Sequence, residues 1–224
     1  MRRWLSVFLI SGLATCALPA QEKSALESGP TGWTDIFPNA GLKGWTRGAI
    51  PPQDALKDYA GWKPDAKSRV LLCEGDKLGH EWLRYDRELA DFLLHVEWRF
   101  HKLEGSPRYN SGIFVRNSAD GVIWHQAQTG NASGGFIFGN TPVNGQPQRI
   151  NLSKQIREQR VKPAGEWNEY EIRCEGRNIR LWVNGAVTSE FADCEVPKGY
   201  IGLEAEGYPI EYRNIRIKPL KARR

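Results

Sequence analysis

Long polar side chains recur at alternating positions in four stretches of this chain: His95, Glu97, Arg99 and His101; Arg116; Trp124, Gln126 and Gln128; Glu204 and Glu206. Gln and Arg offer fixed hydrogen-bond donors, carboxylates accept from paired hydroxyls, and Trp can lie against a pyranose face. The set therefore suits carbohydrate binding. The competing reading is a solvated face whose charges pair across strands, Glu97 with Arg99 or Arg116 with Glu204, for little energy. Glu204 and Glu206 are two apart, so on a strand they share a face with alpha carbons about 7 Å apart. In a dry site two like charges drive one pKa up, which would give an acid beside a base. His125 alternates with Gln126 and is expected to face away from it, either packed or towards a loop. His80, just before Glu81-Trp82, has no partner at a telling spacing. The Gly-rich stretch 130–139 lacks the flanks of a phosphate-binding loop, and no CxxC or HExxH spacing points to zinc.

Such residues need strands to hold them. Helical periodicity is nearly absent, while period-two alternation recurs in short runs bounded by Gly, Asn and Pro. In Phe92 to His101, the residues Phe92, Leu94, Val96, Trp98 and Phe100 face one way and the polar set the other. Further strands are expected at 113–116, 124–128, 169–175, 178–184, 200–206 and 212–218. The turns fall at Glu175-Gly176-Arg177-Asn178 and Asn184-Gly185. Strands that are apolar on one face need a second layer, which predicts an all-β sandwich of antiparallel sheets. Ile50 to Lys67 reads as a long loop or a short helical turn. Gly139 to Lys162, with its basic run Arg149, Lys154, Arg157, Arg160 and Lys162, could hold a short helix at 152–159.

The chain has 224 residues, 40% of them hydrophobic and 25% charged, which excludes both disorder and a disulfide-stapled miniprotein. Met1-Arg2-Arg3, the apolar run to Leu18 and the small end Pro19-Ala20 read as a secretory signal over 1–20. That run is too short to span a bilayer, so residues 21–224 are expected as one exported domain, periplasmic or extracellular, with no stable membrane insertion. Without Arg2, Arg3 and the tail cations Lys218, Lys221, Arg223 and Arg224 the body is close to neutral, which argues against nucleic acid as a partner. Three cysteines remain after cleavage, Cys73, Cys174 and Cys194, and Cys174 could pair with Cys194.

An ordered series of short motifs runs through the chain. It comprises Trp33-x-x-Ile36-Phe37, Leu42-x-Gly44-Trp45, Asp91-Phe92, Glu97-x-Arg99, Asn110-Ser111-Gly112-Ile113-Phe114-x-Arg116, Gly165-Glu166-Trp167-Asn168, Val183-Asn184-Gly185, Gly202-Leu203 and Tyr212-Arg213-Asn214-Ile215. In this series the chain resembles the bacterial 3-keto-disaccharide hydrolase-like domain. The resemblance implies a concanavalin A-like jelly-roll sandwich of two curved antiparallel sheets, with carbohydrate on the concave one. The chain departs from the family pattern at two places. Gln126-Ala127-Gln128 stands where members commonly show Glu-x-Gln, and Glu204-Ala205-Glu206 where they commonly show Gln-x-His. If those strands adjoin, a carboxylate has moved from one strand to its neighbour.

The resemblance also implies a 3-keto-glycoside as substrate, whose ketone acidifies the C2 proton and opens a β-elimination route. Such a site needs a base near C2, an oxyanion stabiliser and an acid for the leaving group. Glu204 and Glu206 are the expected base and acid, with Arg99 and Arg116 on the oxyanion or sugar hydroxyls. His95, Trp124, Gln126 and Gln128 are expected to bind substrate. Glu97 could be a third carboxylate or simply the partner of Arg99. A divalent metal held by Glu97, Glu204 or Glu206 with His95 could take part. The alternative is a non-catalytic, lectin-like carbohydrate-binding module, and a purely structural envelope protein is a third class.

Overall fold

The computed structural model describes residues 21–221 apart from Ser106 and Asn131. The expected secretory signal over 1–20 lies outside the described residues. Alternation becomes strands in chain order: β1 (Thr34–Asp35), β2 (Trp45–Ala49), β3 (Trp62–Asp65), β4 (Val70–Cys73), β5 (Glu81–Tyr85), β6 (Phe92–Phe100), β7 (Asn110–Asn117), β8 (Trp124–Gly130), β9 (Ile137–Val143), β10 (Gln146–Asn151), β11 (Asn168–Glu175), β12 (Asn178–Val183), β13 (Ala186–Phe191), β14 (Tyr200–Ala205) and β15 (Ile210–Pro219). They form two antiparallel sheets. One has the order β13-β12-β11-β6-β15-β4-β3 with β1 added to β15; the other has the order β10-β9-β8-β7-β14-β5-β2. The result is the expected all-β jelly-roll sandwich.

The inward face of β6 behaves as its alternation requires: Phe92, Leu94, Val96, Trp98 and Phe100 are all buried. Trp98 meets Tyr170 edge to face at 5.3 Å. The hydroxyls of two core tyrosines then cross to the opposite sheet. Tyr170 donates to the carbonyl of Gln128 at 2.9 Å and Tyr212 to that of Glu204 at 3.3 Å. The core therefore fixes the height of β8 and β14 directly beneath their outward side chains.

Asn184-Gly185 turns β12 into β13 with positive φ at both residues, as a two-residue hairpin needs. The segment 139–162 differs from expectation. Asn144-Gly145, with the same backbone signature, folds it into the β9–β10 hairpin, and only Ser153–Gln155 forms a single 3₁₀ turn. β3 likewise forms within the stretch expected as a loop. Cys174 and Cys194 are buried free thiols; no bridge joins them.

The outward polar residues of β6 are paired within the protein. Helix α1 (Ala25–Ser28) adjoins this face, the amides of Ala25 and Leu26 donating to Glu171 on β11. Glu171 also meets His95 Nδ1 at 3.0 Å. Burial opposes the charge on His95, yet Glu171 and Glu97 push its pKa up. Burial likewise opposes ionisation of Glu97, but His95, Asn214 and Arg213 hold it down to about 2. Arg99 pairs with Glu211, which also meets His101.

Arg116 departs from alternation for a backbone reason. The β7–β14 register shifts beside it and its φ is 50°, which turns its side chain off the outer face. Its guanidinium, 0% exposed, donates to the carbonyls of Ala90, Gly176 and Val196 and pairs with Asp91. Arg116 thus ties three connecting segments together. Arg116→Met strands those acceptors and should cost about 3 kcal/mol, a fall of roughly 10 °C in a thermal melt.

His125 faces inward as expected and is fully buried. Burial brings its pKa down to about 4 from 6.5, so the unfolded chain binds the extra proton first. Stability carried by the neutral ring is complete above pH 6.5 and is lost as pH falls towards 4. Denaturant melts across that window should fall less steeply for His125→Gln than for the natural protein.

Candidate active site

The outer face of the second sheet holds an open cleft of about 370 Å³. Register lays its residues out in rows that cross the strands. Trp82 on β5 stands beside Glu204 on β14, and one row along Phe114 on β7 pairs with Gln126 on β8, which pairs with Phe138 on β9. At the far side Trp124 and Arg149 both pair with Asn140. His80 and Glu206 lie just beyond the ends of β5 and β14, two residues from Trp82 and Glu204, so alternation returns them to the same face. Glu81 points inward instead and is taken by Arg47 and Trp62.

Two glycines make the floor. A Cβ on Gly112 would come within 2.3 Å of the Gln126 side chain, and one on Gly202 within 2.3 Å of the Trp82 ring. Their absence lets Gln126 lie across β7 and reach Glu204, to which its Nε2 donates at 2.5 Å. His80 Nε2 meets the other oxygen of Glu204 at 2.9 Å. Gln128 donates to Asn110 Oδ1, and Asn110 Nδ2 donates to Glu206, each at 2.6 Å.

Glu204 is only 4% exposed. Burial pushes its pKa up and the Glu206 charge adds to this, while His80 and Gln126 pull the other way. The hydrogen bond to Glu204 raises the pKa of His80. The pair therefore retains a proton to higher pH than either group would alone. His80, Glu204 and Glu206 also bring one ligand atom each within 4.8 Å of the others, an imidazole-and-carboxylate set that suits a divalent cation.

The sequence profile of the family described as the 3-keto-alpha-glucoside-1,2-lyase-like domain matches residues 32–218. The chain belongs to this family. No protein of curated function matches it. Among solved structures, the domain is similar to two Parabacteroides distasonis proteins described as candidate glycosyl hydrolases. The first has TM-score 0.61 and 15% identity over 90% of this chain and 100% of the other; the second has TM-score 0.58 and 20% identity over 84% and 99%. It is also similar to a carbohydrate-binding module, CBM66 from Bacillus subtilis, with TM-score 0.52 and 14% identity over 78% and 95%. At these identities the likeness is one of fold.

In this 3-keto-α-glucoside lyase-like domain the expected polar set is divided between the two sheets. Trp124, Gln126, Gln128, Glu204 and Glu206 line the cleft together. His95, Glu97 and Arg99 stand on the other sheet, paired with Glu171 on β11 and with Arg213 and Glu211 on β15, and Arg116 is the buried anchor described above. Alternation reports which face of its own sheet a residue takes, not which sheet that is. Cation-holding groups accordingly come from His80, not His95. Trp124 is less bare than a free stacking platform: Phe114 and Phe138 meet it edge to face, and the Arg149 guanidinium lies 4.4 Å from its ring centre.

His80, Trp82, Asn110, Phe114 and Arg149 carry the site without having been singled out for it. Asn110 and Phe114 lay within the quoted motif, and His80 and Trp82 flank Glu81 at period two. Either clue could have placed them. Because Gln126 donates to the charged form of Glu204, Gln126→Ala should raise the pH at which Glu204 ionises, and Gly112→Ala should do the same by displacing the amide. Carboxyl ¹³C NMR titration reads both; an unmoved Glu204 in both variants would show that the amide contact has no electrostatic weight.

Proposed function

We propose that this domain cleaves 3-keto-glycosides by β-elimination in the cleft on the second sheet. The observation that carries the reading is the buried Glu204 carboxyl, held between His80 and Gln126 with Glu206 beside it, in a cleft whose other lining is mainly amides and aromatic rings, with Arg149. A C3 ketone acidifies the C2 hydrogen, so one carboxylate can act as base without the paired geometry of ordinary glycosidases. Glu206, oriented by Asn110, takes the C2 proton, and negative charge moves onto the C3 oxygen. The protonated His80–Glu204 pair beside Glu206 stabilises that oxygen; the arginines expected in this role lie elsewhere. As the ketone re-forms, the C1=C2 double bond forms and the bond from C1 to the glycosidic oxygen breaks. The proton held by the His80–Glu204 pair passes to the departing oxygen. Addition of water across C1=C2 completes net hydrolysis. A divalent cation on His80, Glu204 and Glu206 would supply Lewis-acid stabilisation of the ketone oxygen.

The purified protein should release p-nitrophenol from p-nitrophenyl 3-keto-α-glucoside and not from the unoxidised glucoside, assayed with EDTA and with added divalent metal. Glu204→Gln and Glu206→Gln should each lower kcat by roughly 100-fold or more, with circular dichroism unchanged. Binding of the keto sugar with no turnover would mark a lectin-like binding module instead; no binding at all would leave neither carbohydrate reading standing.

A further inference from the structure

The elimination chemistry uses only one end of the cleft. Arg149, on the edge strand β10, reaches back over the sheet and stacks its guanidinium 4.4 Å from the ring centres of both Trp124 and Phe138. Those two rings stand nearly perpendicular, with centroids 5.2 Å apart, so together they form a corner that holds the guanidinium in place. Ring contact does not consume the N–H donors of a guanidinium, which stay available for bidentate hydrogen bonds.

Elsewhere that edge is used. Arg47, Arg69, Arg99, Arg116, Arg173 and Arg213 each pair with a carboxylate. Several arginines, Arg84 among them, have no carboxylate within ion-pair distance among the described residues, and of these Arg149 is the one that lines the same cleft as Glu204 and Glu206. Its head packs against aromatic rings, yet among the described residues its donors have no acceptor. This is the arrangement of a preorganised anion receptor.

The cleft is therefore polarised. Two carboxylates stand at one end, where an anionic substituent would be repelled, and a positioned cation at the other. Arg149 springs from β10, four strands from Glu204 on β14 or about 19 Å between backbones, so the cation stands at the end of the cleft away from the acids. We propose that Arg149 binds a carboxylate on the second residue of the substrate, so that the cleft selects glycosides of acidic sugars, a glycosyl-uronic acid being the simplest. This deepens, and rests on, the carbohydrate reading above. The charge separation also sets direction: the ketone-bearing ring takes the acid end and the acidic leaving group the Arg149 end.

The probe pair is 3-keto-glucosyl-glucose and 3-keto-glucosyl-glucuronic acid of the same linkage, titrated by calorimetry into the Glu206→Gln protein so that the sugars stay intact. The acidic sugar should bind about tenfold more tightly than the neutral one. The ratio should shrink with added salt and fall to near one when Arg149→Gln is added, with Arg149→Lys retaining part of it. Arg149 is exposed, so the folded state should survive the change, which a thermal melt checks. Equal affinities before the Arg149 change, or an acid preference that outlasts Arg149→Gln, would overturn the assignment and leave the carbohydrate cleft standing. Binding of neither sugar would overturn both.

Discussion

A carboxylate buried on a sheet surface is costly, and Glu204 is the constraint around which the cleft is built. Its cost is offset by two directed hydrogen bonds, from His80 and Gln126, and each depends on backbone arrangement elsewhere. Gln126 can reach only because Gly112 has no side chain between them, and the neighbouring floor accepts Trp82 only because Gly202 is equally bare. Beneath, the carbonyl of Glu204 receives Ser111 Oγ at 2.8 Å and the Tyr212 hydroxyl from the far sheet. Side chain and main chain of one residue are thus held from both sides of the sheet.

The two outer faces of the sandwich solve the same polar patterning in opposite ways. On the first sheet every strong charge finds a partner within the protein. Glu171 is shared between His95 and the amides of α1, Glu97 between Arg213 and Asn214, and Glu211 between Arg99 and His101. A surface so satisfied has little to offer a ligand. On the second sheet the cleft holds Arg149 without an ion-pair partner among the described residues and leaves Glu206 half open beside the His80–Glu204 pair. Capacity for chemistry follows from incomplete internal pairing rather than from the number of charges.

The departures from the family pattern fit this geometry. Glu204 and Gln126 occupy adjoining positions across β7 and touch, so exchanging which strand carries the carboxylate leaves an acid in the same place. In this chain the acid stands on β14, beside His80. A shift of that kind changes which neighbour shares its proton while keeping the pocket.

Local pattern determined much of this protein. Period-two runs located β6, β8, β11, β14 and β15 and which face of each is buried, because that depends on successive residues alone. The same rule put Glu204 with Glu206, Trp124 with Gln126 and Gln128, and His125 inward. Even the β9–β10 hairpin had its Asn-Gly signal, overlooked in favour of a short helix. Tertiary structure decided what those patterns could not carry. Whether two strands share a sheet is set by pairings between residues far apart in the chain, so His95, Glu97 and Arg99 went to one surface and Glu204 to the other. A single backbone residue at φ 50° took Arg116 out of alternation and into the interior. His80 and Arg149 joined the site through side-chain reach across strands, and reach depends on which neighbours have no side chain in the way.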